Sequence, residues 1–332
     1  MAKSKTENKQ SIGSKHIPDE PYLDLLKKVD FQPIFIMAEH RSGTTLLYQT
    51  LAATECFNFL RAYHIIKYDA ILSNHVNRTE NQVCQELEKL LKSLGMKDRV
   101  IDNVEVTPDL PEEYGFILKN SGYESYLNPD NLPIFKELCS KIQFVSAPDR
   151  PLLLKNPWCF PHFMYVKSAF PKAKFIFLHR HPIHVLNSRL KAARSILSSR
   201  NEYIVLISQQ YKQIFDNPLQ RFVYPLLYSS FLDLGLRRVT KEAVQSTTYF
   251  LENIDALPQR DYVSVTYEDL CKAPEATILK ILGFLGLEAR ATLAYDSLIQ
   301  PRPLKLLPEV ERKYDEIRQK LQPYFAYHGY DA

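Results

Sequence analysis

Residues 31–54 constrain the fold more than any other stretch of the chain. The run FQPIFIMA, Phe31 to Ala38, is short and almost continuously apolar, which suits a strand buried on both faces of a sheet. It passes through Glu39-His40-Arg41-Ser42-Gly43-Thr44-Thr45 into LLYQTLAATE, whose leucines and alanines favour a helix. Strand, small-residue turn and helix in direct succession make the first unit of a nucleotide-binding α/β fold. The pattern returns later in the chain. LLLK (152–155) and KFIFLH (174–179) read as buried strands, with a helix between them around His162 to Phe170. Pro182 opens a further helix in the first-turn position that tolerates proline. YVSVTY (262–267) is a late strand before a helix beginning near Pro274. Strands alternating with helices predict an α/β class with a mostly parallel, doubly wound sheet.

The segment FNFLRAYHII (57–66) is expected to give a second strand and its exit, and the Pro-rich 301–308 segment a loop before a terminal helix from Glu309. Between 63 and 149 the chain changes character, with 14 acidic and 9 basic residues and an amphipathic segment around Val83 to Leu94. Residues 67–149 are therefore read as a largely helical insertion and as the acceptor cap of a single domain spanning 21–332. Tyrosines and phenylalanines around Tyr114 to Tyr126 point to an apolar or aromatic-lined pocket. Residues 1–20 open with a polar, lysine-rich stretch and no apolar core of a signal peptide, which predicts a disordered tail. No apolar run approaches the ~18 residues needed to span a bilayer, so no transmembrane segment is expected and the cytoplasm is the default location. Five cysteines without a C-x-x-C pair predict neither a disulfide framework nor a metal site.

Of the 332 residues, 42 are Lys or Arg and 38 Asp or Glu, a formal net charge of +4, too mild for a nucleic-acid-coating protein. The distribution is more telling. Residues 150–201 hold ten Lys+Arg and no acid, leaving −6 over the rest. Some of these cations, such as Lys167 and Lys172, are expected to face only water. Others sit where an anion would. A helix N-terminus leaves backbone N–H groups unpaired, and those after Arg41 can surround an anion. Gly43 permits close backbone approach, Ser42, Thr44 and Thr45 add hydroxyl donors, and Arg41 adds a permanent planar charge. The bland alternative is a Ser/Thr-capped helix without a ligand. The signature G-x-x-x-x-G-K-[ST] is absent, which speaks against a Mg-ATP enzyme. Arg180 at the end of KFIFLH and Ser188 eight residues later can converge on one phosphate; each alone would read as a surface residue.

Taken together, RSGTTLL, LLLKNP, AFPKAKFIFLHRHPIHVLNS and VTYEDLCKAPEATILKILGFLGL resemble the sulfotransferases that use 3′-phosphoadenosine 5′-phosphosulfate (PAPS), over roughly residues 31–290. The resemblance implies a P-loop-like three-layer fold and transfer of a sulfonate from PAPS to an acceptor hydroxyl, with no metal required. It implies that Arg41, Ser42, Gly43, Thr44 and Thr45 cradle the phosphosulfate and that Arg180 and Ser188 hold the 3′-phosphate. Lys155 resembles a lysine that contacts the transferred sulfonate in the tyrosylprotein branch, so Arg41 and Lys155 are expected to stabilise the transition state.

The acceptor proton needs a base, and an imidazole suits this. His64, 23 residues after Arg41, is the first choice. His40, Glu39, Glu112 and Glu113 are rivals, while His181 and His184 are expected at the surface. The chain departs from the family's frequent Gly-x-Pro before Arg-Ser-Gly, carrying Ala38-Glu39-His40 instead, and Glu39 adds negative charge beside an anion loop. The acceptor is expected to be a small molecule, lipid or glycan and not a nucleic acid. Oligomeric state is open. Alternative readings are a P-loop-like kinase and a catalytically inactive nucleotide-binding regulator.

Overall fold

A computed structural model describes residues 18–96, 98–99, 104–299 and 305–330. Most of the expected N-terminal tail and residues 301–304 of the Pro-rich loop lie outside the described residues. Five parallel strands form one sheet in the order β2-β3-β1-β4-β5. They are β1 (Pro33–Met37), β2 (Asn58–Phe59), β3 (Leu152–Lys155), β4 (Lys174–His179) and β5 (Tyr262–Thr266). Side chains alternate between two cores, as a pleated strand demands. Phe35, Met37, Leu152, Leu154, Phe175 and Phe177 enter one core, and Ile34, Ile36, Leu153, Ile176, Leu178, Val263 and Val265 the other. Helices cover both faces, which gives the three layers and explains why β1, β3 and β4 read as unbroken apolar runs.

The helices that matter below are α1 (Thr44–Ala53), α2 (Ala62–Ile66), α3 (Glu80–Ser93), α4 (Gly115–Asn120), α5 (Leu132–Val145), α6 (Pro182–Ser198), α7 (Pro218–Leu227), α8 (Leu234–Asn253), α9 (Pro274–Leu285) and α10 (Tyr314–His328). α1 and α9 cover the second core. α5 and α8 cover the first. The insertion is helical as expected, through α3, α4, α5 and shorter pieces.

Two expectations change. The second strand is only Asn58–Phe59, a sheet edge paired with β3 alone, and RAYHII is the helical turn α2. The last helical region starts at Pro308 with a short helix, Pro308–Arg312, and continues as α10.

Register brings the carboxyl ends of the strands to one edge. Ile36 pairs with Lys155 and with Ile176, and Leu178 pairs with Val265. β1 sits centrally, and its two neighbours both follow it in the chain. Such a switch point opens a crevice at the carboxyl ends of the strands, where ligands of open α/β sheets bind.

Candidate active site

Four strand ends meet at this crevice. The loop after β1 turns through two left-handed residues, Arg41 (φ 72°) and Gly43 (φ 97°). Only glycine fits the second. A Cβ on Gly43 would lie 2.4 Å from Cδ2 of Tyr267, the residue just after β5. Gly43 is also the N-cap of α1, and no side chain caps the helix. The first-turn amides of α1 therefore lack the Ser/Thr cap of the bland alternative. Ser42 and Thr44 are buried at the turn.

Arg180 follows β4 and turns back over this loop. Its guanidinium stacks 4.1 Å from the Tyr267 ring centroid and donates to the Arg41 carbonyl at 3.0 Å. Its Nε is buried with no hydrogen-bond partner. A buried N–H without a partner is costly, and an anion's oxygen is the group that would satisfy it. Arg41 Nε in turn donates to Ser188 Oγ on α6 at 3.3 Å. The two anion motifs are thus one continuous surface, with Arg41 linking them.

Lys155, the last residue of β3, is fully buried. Its ammonium pairs with Glu113 Oε1 at 3.1 Å and donates to Thr45 Oγ1 at 3.3 Å. Arg99 reaches the same hydroxyl at 3.2 Å and pairs with buried Glu112 at 3.0 Å. Tyr203 donates to Glu112 Oε1 at 2.6 Å. Residues 110–112 are fixed against 60–62 through Ala62 N–H to Leu110 O and Glu112 N–H to Leu60 O, each 2.9 Å. Gly115 lets this segment close on the residues after β3, because a Cβ there would lie 2.8 Å from both Asn156 Oδ1 and Trp158 Cε3.

Arg99 and Tyr203 were not singled out from the sequence. The one available signal was the pair Glu112-Glu113 in an apolar context, which requires counter-charge and donors from elsewhere. Arg99 also lines a cavity of about 70 Å³ with Met96, Ser195, Ile196, Asn201 and Ile204, next to the Thr45 side of the loop.

The histidines fall differently from expectation. His64 is on α2, not at a strand exit, and is fully buried. Arg61 closes around both ring nitrogens: its backbone N–H donates to Nδ1 at 3.1 Å, which leaves the ring proton on Nε2, 3.2 Å from Arg61 Nη2. Burial, reinforced by the Arg61 charge, holds His64 neutral well below the usual histidine range. His40 packs edge-on to Trp158 at 4.7 Å. Burial and the nearby Arg189, Lys155 and Arg41 cations push its pKa down to about 3. His181 and His184 are partly buried and stacked 4.2 Å apart, contrary to their expected surface placement.

Glu39 does not face the anion loop unopposed. It pairs with Arg189 of α6 at 3.2 Å and accepts a short hydrogen bond from Ser246 of α8. Burial still raises its pKa, against the lowering pull of Arg189. Glu39 therefore anchors the loop to two helices.

The structure thus has a P-loop-like α/β fold whose strand switch point opens on an uncapped helix start, two arginines and a buried lysine. The family is the sulfotransferase family: its model matches residues 33–291, and the chain belongs to it. The chain is 25% identical over 278 residues to the omega-hydroxy-beta-dihydromenaquinone-9 sulfotransferases Stf3 of Mycobacterium bovis and Mycobacterium tuberculosis. That match covers 77% of this chain and 63% of the relatives' length. In fold it is similar to sulfotransferase STF9 from Mycobacterium avium, with TM-score 0.63, 13% identity and coverage of 94% of this chain and 80% of that one. STF1 from Mycobacterium tuberculosis H37Rv gives TM-score 0.55 at 13% identity, over 91% of this chain and 80% of that one.

Proposed function

We propose that this chain transfers a sulfonate from PAPS to the hydroxyl of a small, apolar acceptor of lipid type. The observation that carries the reading is the convergence of Arg41–Thr45, Lys155, Arg180 and Ser188 at one crevice, with the orphaned Arg180 Nε pointing to an absent anion. PAPS, when bound, supplies a sulfonate already joined to a phosphate leaving group. The α1 amides with Ser42, Thr44 and Thr45 would hold the phosphosulfate. Arg180 and Ser188 would hold the 3′-phosphate, and Arg41 would bridge the two. Lys155, fixed by Glu113 and Thr45, would set a desolvated cation against charge developing on the transferred group.

The geometry favours Glu113 over His64 as the base. Glu113 is partly exposed and reaches Lys155 directly, whereas His64 Nδ1 accepts from the Arg61 backbone and its Nε2 faces the Arg61 guanidinium. Glu113→Gln is expected to lower kcat by about 10²–10⁴-fold while donor affinity changes little. His64→Ala should keep its turnover once folded. The reverse pattern would return the proton-acceptor role to His64.

The acceptor class rests on the Stf3 relatives, whose names specify a hydroxylated menaquinone; Tyr114, expected to line a pocket, packs in the core on Phe35 and Phe135. The test is incubation with PAPS and a panel of long-chain and isoprenoid alcohols, read by mass spectrometry for a gain of one sulfonate and release of the bisphosphate. Magnesium-dependent ATP turnover in its place would favour a kinase, and tight bisphosphate binding without product would favour a regulator.

A further inference from the structure

We infer that the segment 218–241 docks this protein on an anionic bilayer surface, an inference that goes beyond the transfer chemistry and does not rest on it. α7 buries none of its residues. Leu219, Phe222, Val223 and Leu226 lie on one face of it at helical spacing, and Leu219 and Phe222 are 71% and 69% exposed. The turn after it adds Phe231 and Leu232 at 66% and 65%. Leu232 and Asp233 are consecutive left-handed residues, with φ 49° and 56°. Side-chain-bearing residues adopt that conformation at a cost, and here it displays two large apolar side chains to water. An apolar patch of this extent marks an interaction surface.

Charge identifies what covers it. Between 216 and 242 the chain has Arg221, Arg237, Arg238 and Lys241 against Asp216, Asp233 and Glu242, but Asp216 is engaged by Arg200 and Glu242 by Arg189 and Arg238. Asp233 is already taken by Arg312 at 2.7 Å. Arg238 pairs with Glu242, while Arg221, Arg237 and Lys241 have no ion-pair partner among the described residues. Exposed apolar side chains with exposed, unpaired cations on the same helix and the next one match an interfacial segment on anionic lipid. A second copy would bring like charges together. Residues 1–17 carry four lysines against one glutamate, so they too have the same sign of charge.

The patch is rigidly connected to the site. α7 packs on α6 and α8, and Arg194 of α6 donates to the Tyr228 carbonyl at 2.7 Å. The C-terminal end of α6 lines the cavity shared with Arg99, while its first half carries Ser188. Docking by this face would place that cavity near the plane from which an apolar acceptor leaves the lipid.

Co-sedimentation with vesicles of phosphatidylcholine, alone or with about a third phosphatidylglycerol, tests the inference. The full chain is expected to bind the anionic vesicles and to release as salt rises. Phe222→Asp combined with Phe231→Asp should weaken partitioning by at least about tenfold. Arg237→Glu combined with Lys241→Glu should remove the preference for anionic lipid. Binding of 3′-phosphoadenosine 5′-phosphate, unchanged in all variants, reports that they are folded. Wild-type protein left in the supernatant with anionic vesicles would overturn the inference. So would light scattering that shows a dimer dispersed by the Phe222→Asp/Phe231→Asp pair, since the occupant would then be a second copy. Absent nucleotide binding with intact vesicle binding would sink the transfer reading alone.

Discussion

Arg180 concentrates several small effects in one side chain. It stacks on Tyr267, donates to the Arg41 carbonyl and keeps Nε unsatisfied, and it has no carboxylate partner among the described residues. A guanidinium in that state is poised for a charge-assisted contact. Arg180→Ala is expected to weaken bisphosphate binding by about 1.5–3 kcal/mol, measured by calorimetric titration, and unchanged affinity would remove it from the donor site. At this scale the sequence exposed the residues that follow strands, because a cation or hydroxyl after an apolar run stands out. It did not expose Arg99, whose partners Glu112 and Thr45 lie 13 and 54 positions away. Nor could it show that Arg61 closes around both ring nitrogens of His64, a contact that forms because residues 62–66 coil as helix.

The strand–turn–helix element is closed by a residue from a different motif. Tyr267 packs on Gly43 and on Arg180, which gives the late VTYEDL segment a physical connection to the anion loop. Gly43→Ala faces two separate penalties, a Cβ in contact with Tyr267 and a left-handed φ. The expected outcome is lower thermal stability and weaker bisphosphate binding. Adding Tyr267→Ala should recover part of the stability, never all of it, because the backbone term persists. Full recovery in the double variant would show that φ carries no cost here. β1, β3 and β4 were legible because central parallel strands are apolar throughout or nearly so, and β5, at the sheet edge, because its buried valines alternate with half-buried residues. FNFLRAYHII misled because an edge strand of two residues leaves almost no periodicity, and the residues after it pack as helix.

Over the whole molecule, the acid-free stretch from 150 to 201 is largely neutralised by acids from elsewhere. Lys155 meets Glu113, Arg189 meets Glu39 and Glu242, and Arg194 meets Glu309. Lys167, expected to face only water, pairs with Asp261 at 2.9 Å. Arg150, Lys172, Arg180 and Lys191 have no carboxylate partner among the described residues, and of these Arg180 is the one beside the Arg41 loop. Histidines set the acid limit of stability. Burial lowers His64 and His179 well below the usual range, and His184 and His328 to about 4. The unfolded chain therefore takes up protons near pH 6.5 that the folded chain refuses. Stability is full above that pH and is lost as pH falls, with a slope of up to about 1.4 kcal/mol per pH unit for each fully buried histidine. Urea denaturation midpoints should drop between pH 7 and pH 5, and a flat profile would contradict the buried, neutral assignment.

The strand order has a consequence for how the chain reaches its fold. β2 pairs with β3 alone, and β3 separates it from β1. Until residue 152 leaves the ribosome, neither early strand has its neighbour on that side, and the insertion must wait beside an open sheet. Pairings this distant in sequence are slow to close and expose apolar edges meanwhile. The 92 residues between β2 and β3 thus leave apolar strand edges unpaired through that part of synthesis, and a chain stopped short of Leu152 has no central sheet to complete.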